Sequence, residues 1–130
     1  MRLGRANKFA LLSAFTYICH ISHEVMKSSD ILKEIKRIAK EVLPEGGQLI
    51  LYGSRARNEA TEDSDWDLLI LLDKPKIEQH DYRYVLYPFA ALSWDIGETI
   101  SPIIYTKEEW KQNSFTPFYK NVEQDGIVLA

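Results

Sequence analysis

Two aspartates, Asp65 and Asp67, stand two residues apart in the segment Ser64-Asp65-Trp66-Asp67-Leu68-Leu69, and Gly53-Ser54 precedes them with ten residues between. At the start of a strand, a period of two points both carboxylates to one face. Two like charges that close repel and raise a pKa unless a cation lies between them, so the spacing fits a divalent metal. Hard oxygen ligands that leave positions for water and phosphate oxygens favour Mg2+. Gly53-Ser54 offers the other half of such a site. A residue without a side chain lets backbone N–H groups approach a ligand, the hydroxyl adds a donor, and a helical turn begun by Ala56 and Arg57 would favour an anion at its N-terminus. Arg55 and Arg57 add charge suited to phosphate oxygens. Either half alone is ordinary, a turn or a solvated pair of acids. Together they describe a site for metal-assisted phosphoryl or nucleotidyl transfer.

These residues need strands and helices to hold them. From Asp30 the apolar residues Ile31, Leu32, Ile35, Ile38, Ala39, Val42 and Leu43 recur at helical steps, and Pro44, Gly46 and Gly47 end the pattern. Gln48 to Tyr52 is a short run of strand formers closed by Gly53, and Trp66 to Leu72 is apolar enough to be a strand buried on both faces. Tyr82 to Ile96 reads as helix, with Pro88 either kinking it or setting the start of its second half, and Gly97 stopping it. Ile100 to Tyr105 is a third strand, which Pro102 assigns to an edge or a bulge. Thr106 and Glu109 form a capping-box signature for a short helix through Trp110, and Thr116-Pro117 opens another that Gly126 ends. This order gives a small α/β (α+β) domain, a mixed sheet flanked by helices.

The chain has 130 residues, 45% hydrophobic and 27% charged, which suits one globular domain and excludes a disordered or disulfide-stapled chain. A formal charge of −3 argues against coating DNA or RNA by charge alone. The single cysteine, Cys19, cannot form an internal disulfide and fits a reducing, cytoplasmic setting. Residues 1–27 form an extension to a domain over 28–130. Arg2, Arg5 and Lys8 ahead of an apolar stretch resemble a secretory signal, but Ser13, Thr16 and His20 interrupt it, and it is too short and polar to span a membrane. Two readings stand: sequence upstream of a natural start at Met26, or a short helix packing on the domain or on a partner. Cys19, His20 and His23 lack the fourth ligand of a metal cluster.

The stretch Gly53-Ser54-Arg55-Ala56-Arg57 with Ser64-Asp65-x-Asp67 resembles the signature of the minimal nucleotidyltransferases within the DNA polymerase beta superfamily, and the looser likeness runs from about Ser28 to Leu129. The resemblance implies a nucleoside triphosphate held by Gly53, Ser54, Arg55, Arg57 and Ser64, with Mg2+ held by Asp65 and Asp67. A hydroxyl of a protein, a small molecule or an RNA would attack the α-phosphate of ATP, releasing pyrophosphate. It also implies a separate helical partner protein of the HEPN type, with the chain as the antitoxin of a toxin–antitoxin pair. Two residues depart from the pattern. Asn58 stands where glycine is common, and asparagine tolerates positive φ. The superfamily's third carboxylate, on a neighbouring strand, has no counterpart within Thr99 to Tyr105; Glu98 is the nearest candidate and Asp95 the next.

Three functions follow: a nucleotidyltransferase, a degenerate fold that binds nucleotide or a partner, and a metal-free structural domain in which the pattern is accidental. Trp66, Trp94, Trp110 and the tyrosines from Tyr82 to Tyr87 offer either a base-stacking surface or core and interface packing. His80 reads as a solvated side chain.

Overall fold

The computed structural model describes residues 27–130; the expectations for the N-terminal extension lie outside them. Residues 33–130 form a compact unit. Helix α1 (Ser28–Val42) buries Ile35, Ile38 and Ala39, as its periodicity requires. Strands β1 (Gln48–Tyr52) and β2 (Trp66–Leu72) pair antiparallel, with Ile50 opposite Leu69 and Tyr52 opposite Asp67. A helical run over 79–96, called α2, returns the chain to β3 (Ile100–Thr106), which lies parallel to β2. Helices α3 (Lys107–Gln112) and α4 (Pro117–Asp125) follow, and β4 (Ile127–Val128) pairs antiparallel with β1. The sheet order is β3-β2-β1-β4.

Central placement explains the composition of β2, in which every residue but Asp67 is buried. One face of the sheet carries Ile50, Leu69 and Leu71, covered by Trp110 of α3 and Val122 of α4, with Tyr52, Ile103, Tyr105, Phe118 and Tyr119 around them. The alternate residues Leu49, Leu51, Leu68, Ile70 and Leu72 are buried on the other face. Each full burial of such a side chain contributes about 1.5–3 kcal/mol. Pro102 sits on the edge strand β3, where its missing N–H costs no ladder bond to a further strand.

Pro88 sets the start of the second half of α2. The run opens with an α turn (Gln79–Asp81), passes through a π segment (Tyr82–Leu86) and continues as α-helix over Tyr87–Ile96 with the proline in its first turn. A proline in a regular helix clashes with the carbonyl four residues back, and the wider π turn just before Pro88 relieves that clash. The run begins at Gln79 rather than Tyr82 because Glu78 and Asp81 form a capping box. Gly97 ends it with φ 72° and an N–H donated to Ser93 O at 3.0 Å, and Ser93 Oγ accepts the Ile100 N–H at 2.9 Å. The strand β4 was not expected from the sequence. Among the described residues no helix is long and apolar enough to cross a membrane.

Candidate active site

Gly53 leaves β1 with φ +77°, a left-handed conformation that glycine adopts without strain. Its carbonyl accepts the N–H groups of Ala56 at 3.0 Å and Arg57 at 3.1 Å, so residues 53–57 close one helical turn. The first amides of such a turn have no carbonyl within it to bond and point outward. Asn58, with φ 60°, then reverses the chain, and Glu59 N–H donates to Ser54 O at 2.9 Å. That six-residue closure is the Schellman ending of a helix with asparagine in the glycine position. The loop tolerates the substitution as the side chain's chemistry predicts.

Gly53 also has a spatial reason to be glycine. A Cβ there would collide with Asp67 Oδ2 and lie 3.3 Å from Asp67 Cγ. The Asp67 carboxylate therefore lies directly against the turn backbone. Across the sheet, Asp67 is matched with Tyr52 on one side and Ser101 on the other, so these three residues form a row on one face. Tyr52 packs edge-on against Phe118 of α4, ring centroids 5.3 Å apart. Burial raises the Tyr52 pKa to about 12, with the charge of Asp67 and the neighbouring Tyr105 adding to the shift.

Asp65 sits exposed, one residue before β2. The Asp67 pKa is raised, first by burial and then by the negative charge of Asp65, against a lowering pull from Arg57. The pair is thus short of positive charge. Among the described residues no group of three His, Cys, Asp or Glu side chains gathers into a metal cage, so a cation here would have two carboxylates and open positions. Two hard oxygen donors beside a phosphate-sized turn fit Mg2+, which keeps several ligands as water and phosphate oxygens.

The other expected nucleotide-binding residues divide. Arg57 is 40% exposed, with Nε 2.9 Å from Glu59 Oε1 and Nη1 4.0 Å from Asp125 Oδ2, pairs weak enough for a phosphate to displace. Ser54 lies in the turn itself. Ser64 Oγ accepts the Thr61 N–H at 2.9 Å, so its hydroxyl closes its own loop. Arg55 is nearly buried: Nη2 donates to Ser64 O at 2.9 Å and to Glu98 Oε1 at 3.2 Å, and its guanidinium carbon lies 4.4 Å from the centroid of the Trp66 ring. Trp66 Nε1 reaches the same Glu98 oxygen at 3.4 Å.

The structure thus joins Glu98 to Arg55 and Trp66. Trp66 alternates with Asp67 along β2 and points to the opposite face. The residue in register with Asp67 on the neighbouring strand is Ser101, which the sequence reading passed over. Asp95 is exposed on the last turn of α2. The aromatic residues split as well, with Trp66 and Trp110 buried, while Tyr82, Tyr84, Tyr87 and Trp94 are exposed. His80 is exposed, with its ring nitrogens 3.5 Å from Glu78 and Asp81 carboxylate oxygens.

Comparison with known proteins identifies the family. Two proteins of Methanocaldococcus jannaschii, named as candidate protein adenylyltransferases, are each 34% identical to the chain. One aligns over 80% of this chain and 100% of its own length, the other over 63% and 76%. A bifunctional uridylyltransferase/uridylyl-removing enzyme of Pseudomonas entomophila is 41% identical over 51% of the chain, which is 7% of that far longer protein. The crystal structure of a toxin–antitoxin with AMP-PNP shares the fold, with a TM-score of 0.55 at 15% identity, covering 76% of this chain and 72% of that one. The family described as nucleotidyltransferase domain matches residues 32–129, from within α1 through β4. The chain belongs to that family and is a nucleotidyltransferase of the minimal kind.

Proposed function

We propose that the chain transfers AMP from ATP to a hydroxyl of a protein, with Mg2+ held by Asp65 and Asp67. One observation carries the reading: the left-handed Gly53 turn lies against the Asp67 carboxylate, so a triphosphate on the turn has its charged oxygens beside the two aspartates. The metal, when bound, neutralises phosphate charge and polarises the reacting bond. The chain's own residues do the rest. Backbone amides of the Gly53-Ser54 turn and the Ser54 hydroxyl hold the outer phosphates, while Arg57 exchanges Glu59 and Asp125 for phosphate oxygens. Asp65 and Asp67, near enough for the charge of one to raise the pKa of the other, fix where the α-phosphate sits. A protein acceptor is favoured because the two archaeal relatives are named for protein adenylylation. We assign as partner a helical protein of the HEPN type, with this chain as the antitoxin that modifies it.

Ser101 favours a second reading. With a hydroxyl instead of a carboxylate beside Asp67, β3 offers no acid to take the acceptor's proton, and a nucleotide-binding module without transfer has the same geometry. The test separates the two. The chain is incubated with Mg2+ and ATP labelled at the α-phosphate in its host's soluble extract, beside an Asp65→Ala, Asp67→Ala control. Label on a protein band that requires both aspartates supports transfer. No label, with Mg2+-ATP still bound, supports the binding module.

A further inference from the structure

We infer that Arg55 and Glu98 form a latch that positions Asp65, so that neither the guanidinium serves as a phosphate ligand nor the carboxylate as a general base. The inference rests on the reading of Asp65 and Asp67 as the Mg2+-nucleotide site and names two positioning residues for it. The Arg55 side chain is 10% exposed, and leaving its place for a phosphate would break the bond to Ser64 O, the ion pair with Glu98 and the stacking on Trp66. Among the described residues no hydrogen bond or ion pair joins Asp65 to the latch. Asp65 is held through its neighbours on both sides. Ser64, immediately before it, has its carbonyl fixed by Arg55 at 2.9 Å; Trp66, immediately after it, donates its backbone N–H to Thr99 O at 2.9 Å and its indole N–H to Glu98.

With the carbonyl before Asp65 and the amide after it both anchored, the backbone of Asp65 has little freedom, and its carboxylate is aimed without any direct bond. Arg55 belongs to the turn that begins at Gly53, and Glu98 to the segment that leads into β3. The latch therefore joins three segments: the phosphate turn, the strand start bearing Asp65, and the mouth of β3. Holding reacting groups at fixed separation is a large part of catalysis, and a shift of about 1 Å costs on the order of 10²-fold. A guanidinium suits this place because its planar fork serves a carbonyl, a carboxylate and an aromatic face together.

The test compares Glu98→Ala, Glu98→Gln, Arg55→Ala and Arg55→Lys in the full chain. Glutamine keeps an oxygen that accepts from Arg55 and Trp66 but cannot take a proton. Amide hydrogen exchange in metal-free protein is expected to rise about tenfold or more at Asp65 and Trp66 in both alanine variants, and to stay near wild type in Glu98→Gln. In Mg2+ titrations of ATP binding, the half-saturating Mg2+ is expected to rise about tenfold in the alanine variants, with rescue by glutamine. If Arg55→Ala does not fold, the two Glu98 variants carry the comparison alone. Unchanged exchange at Asp65 and Trp66 in Glu98→Ala overturns the latch. So does a Glu98→Gln protein with wild-type exchange and Mg2+ dependence but transfer as low as in Glu98→Ala, which would make Glu98 the base. A wild-type chain that binds no Mg2+-ATP overturns the proposed function instead, and the exchange measurement then decides the latch by itself.

Discussion

Beyond the C-terminal end of β2, Asp81 is 3% exposed and yet fully answered: Lys74 Nζ and the Glu78 N–H both reach its Oδ2 at 2.8 Å. Burial pushes its pKa up, but those two bonds and the Lys74 charge outweigh that and leave it below the usual carboxylate value. At the N-terminal end of the same strand, Asp67 is more open and less well answered. Its pKa is raised by burial and by Asp65, and Arg57 is the one group that pulls it down. Asp81 has been neutralised by the chain to hold α2 at the end of β2. Asp67 stands beside a second acid and a bare backbone turn, where, on the proposed function, a bound cation supplies the missing charge. A carboxylate that is poorly served by its own protein marks the site better than burial does.

The contrast predicts opposite responses to losing each charge. Asp67→Asn is expected to lower nucleotidyl transfer by at least about 10³-fold, measured with α-labelled ATP, since it removes a group that works only when the reacting phosphate is present. The same substitution is expected to stabilise metal-free protein by about 0.5 kcal/mol in urea unfolding, a small gain because water screens the Asp65 repulsion. The sign follows from the raised pKa: the folded chain holds the proton more tightly than the unfolded one, so Asp67 costs stability above its folded pKa and that cost disappears as pH falls through it. Asp81→Ala is expected to do the reverse, losing about 3 kcal/mol because Lys74 and the Glu78 amide lose a buried partner, while transfer by the folded fraction is unchanged. Its pKa is lowered, so its contribution is present above the unfolded value of about 3.9 and is lost as pH falls through the folded one. Acid unfolding of Asp81→Ala should be correspondingly less steep.

What could be read in the sequence follows from the range of the forces involved. The Gly53 turn, the tolerance at Asn58, the Thr106–Glu109 capping box and the edge position of Pro102 are local, set by φ preferences and by donors within a few residues. The strand that carries Asp67 was legible because its apolar run is itself local. The bond between Arg55 and Glu98 was not legible, since its partners lie 43 residues apart and nothing local links them. Ser101 escaped because register is a long-range property: a search of Thr99 to Tyr105 finds no acid, but only the parallel pairing of β2 with β3 shows which residue stands beside Asp67. The two-residue β4 carries no periodicity at all, and its pairing with Ile50 and Leu51 comes from α4 delivering the chain there.

That register yields the next prediction. Ser101→Asp places a third carboxylate in the row with Asp67 and is expected to raise transfer about tenfold or more, if proton removal from the acceptor limits the rate. An unchanged rate at saturating ATP and Mg2+ would mean that the acceptor or its partner supplies the base.

The smallest effect belongs to the other end of the row. Tyr52 should ionise near pH 12, isolated as the difference between the ultraviolet titrations of the wild type and Tyr52→Phe. Because its folded pKa lies above the unfolded value of about 10, its contribution to stability is full below pH 10 and is lost as pH rises toward 12. Asp67→Asn removes the second of its causes and leaves the first, so the Tyr52 pKa is expected to fall only partway and to stay above that of a free tyrosine. A complete return would mean that charge dominates over burial along the row, and that Asp67 is less screened by solvent than its half-open position implies. No change would separate Tyr52 from the charge of Asp67 altogether.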